Sequence, residues 1–169
     1  MTRTSPGCTC DQQLTLWFEQ YQRILLHLCY VILRDRELAK DAVQETFLKA
    51  YCASFRGDCS EKTWLIQIAL NTCRSIRRSA WFRHHDRSIT AEDLPAAADV
   101  CLKEDAELML DILRLPTKLR EIVTLYYWQD FTVCEIAQIL GVSQSTVSRR
   151  LHRAHHVLRC ILDEKGQEE

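Results

Sequence analysis

Apolar residues recur along this chain at steps of three and four, the period of an amphipathic helix, and no stretch shows the alternation of a strand. Leu14, Trp17, Phe18, Tyr21, Leu25 and Leu28 trace the apolar stripe of a first helix. A second helix is predicted from Arg36 to about Ser54, with Ala39, Val43, Phe47, Ala50 and Tyr51 inward. Its other face carries Asp41, Gln44, Glu45 and Leu48. Phe55-Arg-Gly-Asp-Cys-Ser60 reads as a loop. A third helix starts near Ser60 and turns Trp64, Leu65, Ile68, Ala69, Thr72 and Ile76 inward, leaving Gln67, Asn71, Arg74, Ser75 and Arg78 outside.

The pattern fades between Trp81 and Leu108, where Pro95, an Ala96-Ala-Ala98 run and a cluster of acids sit. That stretch reads as a flexible acidic linker. At full extension its residues span at most ~90 Å, which lets the two flanking parts sit far apart on one long partner. Periodicity returns at Met109. Pro116 fits a first helical turn, and Leu119, Ile122, Val123 and Tyr126 form the inward stripe that follows. Thr132-Val-Cys-Glu135 is a capping-box pattern that opens another helix. Gly141 ends it, and Ser143 caps a last helix with Val147, Leu151, Ala154 and Leu158 inward. Only two glycines are internal, Gly57 and Gly141, and each falls where a helix should break. The expected fold is all-α, with a helical domain over 11–80, a linker over 81–108 and a second helical domain over 109–163.

Charge changes this picture locally rather than in sum. The net charge is −1, although nucleic-acid binders usually carry a basic footprint. Arg74, Arg77, Arg78, Arg83 and Arg87 stand against one acid, Asp86, and Arg149, Arg150, Arg153 and Arg159 lie in a stretch with none. Between these blocks, Glu92, Asp93, Asp99, Glu104, Asp105, Glu107 and Asp111 face only Lys103. The blocks cancel numerically but not in space. Nine cysteines, odd in number and scattered over helical stretches, read as reduced thiols rather than a disulfide framework. Cys29, Cys52, Cys73, Cys134 and Cys160 look like small residues on or beside apolar faces. Cys8-Thr-Cys10 lacks a second pair, and His84-His85 and His155-His156 diverge on a helix, so no metal site is expected. No apolar run reaches the ~18 residues of a membrane span, and the N-terminus lacks a secretory h-region. A cytoplasmic protein without membrane insertion is expected.

The chemistry concentrates in Thr132 to Leu158. A short helix, a glycine-bearing turn and a capped helix rich in Ser, Gln and Arg make a helix-turn-helix. Gln144, Ser145, Ser148, Arg149 and His152 are placed to reach base edges in a major groove. Ser143, Arg150 and Arg153 are placed for phosphates. The bland alternative is a solvated helical hairpin, against which several independent features agree. The basic face with Asn71, Arg74, Arg77 and Arg78 is less specific alone, although Trp81 and Phe82 nearby have the aromatic character that stacks on unpaired bases. Trp64 reads as core. Asp41, Gln44 and Glu45 in isolation read as surface. No phosphate-binding glycine loop, His-Glu-x-x-His or Gly-x-Ser-x-Gly occurs, so neither catalysis nor a cofactor is expected.

Three blocks together resemble a known family. Leu38-Ala-Lys-Asp-Ala-Val-Gln-Glu-Thr-Phe-Leu-Lys-Ala-Tyr51 is similar to the core-polymerase-binding signature of bacterial sigma factors. Phe55-Arg-Gly-Asp58 followed by Thr63-Trp-Leu-Ile-Gln-Ile-Ala-Leu-Asn71 resembles the −10 module of the extracytoplasmic-function (ECF) group. Leu115-Pro116, Leu119-Arg-Glu-Ile122, Glu135 to Ser143 and Thr146 to Ala154 resemble that group's −35 module. The resemblance spans nearly the whole chain in the right order.

It implies roles residue by residue. Asp41, Gln44, Glu45 and Leu48 would meet the clamp helices of the polymerase largest subunit, with the flap as a second polymerase contact for the chain. Arg56, Gly57, Asp58, Cys59, Ser60 and Glu61 would form the loop that holds a flipped −10 base. Gln67, Asn71, Arg74, Arg77 and Arg78 would contact the −10 strands. Ser143, Gln144, Ser145, Thr146, Ser148, Arg149, Arg150, His152 and Arg153 would enter the −35 groove. Core RNA polymerase, promoter DNA and an anti-sigma factor are the implied partners. His155-His156 departs from the Arg or Lys pair common in relatives, and Cys59 is unusual in the base-holding loop. The rival readings are an autonomous operator-binding regulator and a polymerase-binding decoy; an enzyme ranks last.

Overall fold

The computed structural model describes residues 7–79 and 106–165, which form seven helices. Three belong to the first part: α1 (Gly7–Leu33), α2 (Arg36–Cys52) and α3 (Glu61–Arg78). Four belong to the second: α4 (Ala106–Arg114), α5 (Thr117–Tyr127), α6 (Val133–Leu140) and α7 (Gln144–Lys165). No strand occurs among the described residues. Cys8 and Cys10 have no described side chains, and Trp81, Phe82, His84-His85 and most of the acidic spacer lie outside the described residues.

Each helix boundary has a local cause. Helix α1 starts before the expected Asp11 and ends where Arg34 adopts a left-handed φ of 57°. The next residue, Asp35, is extended and accepts a hydrogen bond from the Leu38 amide at 3.0 Å, capping α2. Such a cap contributes about 1 kcal/mol. Ser60 does the same for α3 through the Thr63 amide at 3.1 Å. At α6 the capping box is complete: the Glu135 amide donates to Thr132 Oγ1, and the Thr132 amide donates to Glu135 Oε2 at 2.8 Å. These hydrogen bonds from Thr132 hold the Glu135 carboxyl below its usual pKa. Gly141 ends α6 at φ 65°, a conformation that carries no Cβ penalty for glycine alone. Ser143 caps α7, accepting from the Thr146 amide at 3.2 Å.

The core follows the expected stripes with a few rotations. Leu25 and Leu28 of α1, Ala39, Val43, Phe47 and Ala50 of α2, and Leu65, Ala69 and Thr72 of α3 are buried. Ile66, Leu70 and Cys73 are buried as well, so α3 sinks a wider face than its periodicity suggested. Three expected core residues are exposed: Phe18, Tyr51 and Tyr126. Tyr51 sits in the last turn of α2, and Tyr126 lies T-shaped against Tyr127 on the outer side of α5. Trp17 meets Phe55 and Trp64 edge-to-face and Phe55 lies tilted against Trp64, with centroids 5.1–5.7 Å apart. Phe55 thereby ties the 53–60 loop to α1 and α3, and geometry of this kind adds about 1 kcal/mol beyond burial. Cys29 and Cys73 are buried together, and the hydrogen bond from Cys73 and burial push the Cys29 thiol well up. Cys52, Cys134 and Cys160 are exposed rather than tucked beside the core.

The second part packs α5, α6 and the start of α7 around Ile122, Leu125, Ile136, Val147, Leu151 and Ala154. Its first helix begins at Ala106, inside the segment read as linker. The two parts touch. Helix α5 rests on α1, and α6 on α3. The buried Arg120 guanidinium crosses between them, donating to Leu113 O at 2.9 Å and Thr117 Oγ1 at 3.0 Å on its own side and reaching Ile32 O at 3.5 Å on the other.

Candidate nucleic-acid and polymerase interface

Helix α2 buries one face on α1 and α3, which leaves Asp41, Gln44, Glu45 and Leu48 together on the exposed face. Leu48 is 66% exposed, on the side of the helix opposite the core. Lys49 pairs with Glu45 at 2.7 Å and donates to Thr72 Oγ1 at 3.0 Å, which fixes one edge of this face to α3. The result is a polar patch with an apolar centre, the composition of a protein-binding surface.

The loop before α3 divides by role. Arg56, Gly57 and Asp58 are exposed, and Gly57 takes φ 77°, which turns the chain sharply. Cys59 is half-buried. Ser60 and Glu61 already serve structure: Ser60 caps the helix, and Glu61 Oε1 accepts from Gln13 Nε2 at 3.1 Å. Along α3, Asn71 and Arg78 are exposed, while Gln67, Arg74 and Arg77 are half-buried.

The second part is a helix-turn-helix in geometry as well as in pattern. Gln144, Ser145, Ser148, Arg149, His152 and Arg153 are exposed on α7. Ser143 and Thr146 are tied into the cap, their hydroxyls 2.9 Å apart. Arg150 faces elsewhere. It lines a cleft of about 470 Å³ with Arg74, Arg77, Arg78, Lys118, Glu121, Leu140 and Val142. Thus one arginine expected at the −35 element and three expected at the −10 element share a cavity. His155 Nε2 lies 2.6 Å from the Tyr127 hydroxyl, so this histidine is engaged with α5. Among the described residues no cluster of three or more His, Cys, Asp or Glu side chains has metal-binding geometry, and no helix is long and apolar enough to cross a membrane.

Sequence reasoning missed the residues that join the two parts. Glu121 is 5% exposed, and its Oε2 lies 3.6 Å from Arg74 Nη2. Lys62 Nζ donates to Gln129 O at 2.8 Å and sits 5.0 Å over the Phe131 ring, and burial there lowers its pKa. His27 of α1 is buried against Trp128, centroids 5.3 Å apart, and its Nε2 has no hydrogen-bond partner. Burial lowers its pKa to about 4. No local signal marks these residues, because helical periodicity places Arg120 and Glu121 on the face opposite Leu119, Ile122 and Val123.

The described residues therefore define an all-helical protein with a helix-turn-helix at one end and a basic helix at the other. Residues 17–83 match the family model described as Sigma-70 region 2, and residues 112–159 match Sigma-70, region 4. The ECF RNA polymerase sigma factor SigW of Bacillus subtilis is 32% identical over 155 residues, covering 82% of this chain and 83% of that protein. The RNA polymerase sigma-H factor of Pseudomonas aeruginosa is 32% identical, covering 82% and 80%. The ECF sigma factor SigL of Mycobacterium tuberculosis is 31% identical over 98% of both chains. The protein belongs to the ECF sigma factors of the sigma-70 family. Two solved structures share its fold: CnrH in complex with the cytosolic domain of CnrY (TM-score 0.70, 24% identity, 91% of this chain and 90% of that one) and RpoE in complex with the anti-sigma factor NepR from Bartonella quintana (TM-score 0.66, 21% identity, 90% and 96%).

Proposed function

We propose that this chain binds core RNA polymerase, directs it to promoters through two DNA-reading ends, and is held in check by an anti-sigma factor. The observation that carries the reading is the conjunction on one chain of a capped helix-turn-helix and an exposed Asp41-Gln44-Glu45-Leu48 face. In this account residues 11–80 form the polymerase-binding and −10 domain, and residues 109–163 form the −35 domain. Arg56, Gly57 and Asp58 approach the flipped base, with Cys59 lining the same loop and Ser60 and Glu61 holding it on α3. Gln67, Asn71, Arg74, Arg77 and Arg78 contact the opened strands. Gln144, Ser145, Ser148, Arg149 and His152 read base edges, while Ser143, Arg150 and Arg153 contact phosphates and Thr146 steadies the cap.

Physics shapes the mechanism. Each DNA contact is weak alone, and joining both on one chain raises the effective concentration of the second once the first is made. The protein contributes positioning and no bond chemistry; the polymerase makes RNA. Its working compartment is the cytoplasm, where the polymerase is. Addition of the purified chain to core polymerase tests the reading: promoter-specific transcripts support it, operator binding without polymerase supports an autonomous regulator instead, and polymerase binding without initiation supports a decoy.

A further inference from the structure

The cleft of about 470 Å³ between α3 and the helix-turn-helix carries a one-sided charge. Arg74, Arg77, Arg78, Lys118 and Arg150 line it against the single acid Glu121. Glu121 answers Arg74, at 3.6 Å. Among the described residues no carboxylate pairs with Arg77, Arg78, Lys118 or Arg150. Four mutually repelling cations are therefore held around one concavity by α3, α5 and α7. Lys118 belongs to neither DNA-reading surface, so promoter contact leaves its place here unexplained.

Size and lining narrow the ligand. Small-molecule sites run to ~300–1,000 Å³. One terminal phosphate carries about −1.5 to −2, which answers only part of the free positive charge; a chain of two or three answers it all. Guanidinium groups hold phosphate oxygens through paired N–H donors, and a lysine adds a point charge. One wall differs. Leu140 and Val142, half-buried on either side of Gly141, give the cleft an apolar edge beside the cations. Phosphates on arginines and a flat ring on aliphatic side chains are the two halves of a nucleotide site.

We infer that this cleft binds a nucleoside polyphosphate, with its phosphates on Arg77, Arg78, Lys118 and Arg150 and its base on Leu140 and Val142. Arg74, answered by Glu121, is a wall of the site and not a ligand contact. The inference goes beyond the promoter reading and does not rest on it. Where that reading holds, nucleotide and promoter compete for Arg77, Arg78 and Arg150.

Isothermal titration calorimetry of the full-length chain tests it, with ATP as the probe, at about 0.15 M salt and without magnesium or polymerase. Inorganic tripolyphosphate and adenosine stand for the two halves of the ligand. ATP should saturate one site per chain. Tripolyphosphate, which lacks the base, should bind about fivefold weaker, and adenosine should not bind measurably. Lys118→Ala and Arg150→Ala should each weaken ATP about tenfold, the loss of one charge-assisted contact. Lys118 is exposed, so its variant should melt with the parent by circular dichroism. Arg159→Ala removes an exposed cation of the same helix outside the cleft and should change affinity by less than about twofold. Absence of saturable ATP binding would overturn the site. So would an equal loss from Arg159→Ala, which signals diffuse attraction of a polyanion to a basic helix. Tripolyphosphate binding as tightly as ATP would overturn the nucleoside. None of these outcomes decides polymerase-directed transcription, which tests the promoter reading separately.

Discussion

His27 should make the closed packing acid-sensitive, and the size of the effect can be worked out. Its imidazole is 7% exposed, meets the Trp128 ring, and finds no partner for Nε2. Burial lowers its pKa from 6.5 to about 4. The packed form therefore keeps His27 neutral, while any form that exposes it takes up a proton below pH 6.5. Above 6.5 neither form is protonated and the packing is undisturbed. As the pH falls from 6.5 toward about 4, the exposed form gains a proton that the packed form refuses, and stability is lost. Near pH 5 the exposed ring is about 97% protonated and the packed ring about 9%, a difference worth about 2 kcal/mol. Urea unfolding followed by tryptophan fluorescence, at about pH 7.5 and about pH 5, measures it. Carboxylates titrate too, so the quantity to compare is the pH-dependent loss in the parent minus that in His27→Phe. A parent that loses about 2 kcal/mol more than the variant agrees with the burial. Equal losses would refute it, because then His27 is already hydrated in the native protein.

Other substitutions separate structure from function. Thr132→Ala removes one arm of the α6 capping box and should cost about 1 kcal/mol in urea unfolding, with the second helical part frayed first in hydrogen exchange. Gly141→Ala places a Cβ at φ 65°; no neighbouring atom obstructs it, so the cost should be backbone strain alone, about 1 kcal/mol by thermal melting. Leu48→Asp should leave stability within about 0.5 kcal/mol, since the side chain is exposed, yet weaken capture of core polymerase at least tenfold in a pull-down titration. Arg149→Ala should reduce transcription in a way that depends on the −35 sequence, whereas Arg153→Ala should weaken all promoters alike; matching losses for both across a promoter panel contradict the division into base and phosphate contacts.

What the chain revealed before its structure was whatever depends on neighbours in sequence. The capping box at Thr132 and Glu135, the left-handed turn at Gly141 and the buried stripe through Val147, Leu151 and Ala154 are local features, and local patterns predict them. The exposed α2 face was legible for the same reason, because an amphipathic helix has only one side to bury. Tyr51 and Tyr126 were misread because periodicity gives the face a side chain lies on but not which neighbours cover it. The junction between the parts was invisible. Arg120, Glu121 and His27 look like ordinary polar interruptions, and their burial depends on a surface far away in sequence. Arg150 was assigned by its position on α7, but its surroundings in the closed chain are the α3 arginines.

The central claim is that this chain makes core polymerase promoter-specific. The most direct measurement is in vitro transcription with purified core polymerase, genomic template fragments and the purified chain, with transcript starts mapped by sequencing. The account predicts a small set of start sites that share sequence centred near −10 and −35 and vanish with Leu48→Asp. Starts scattered as with core polymerase alone, although the chain is folded and bound to it, would contradict the account.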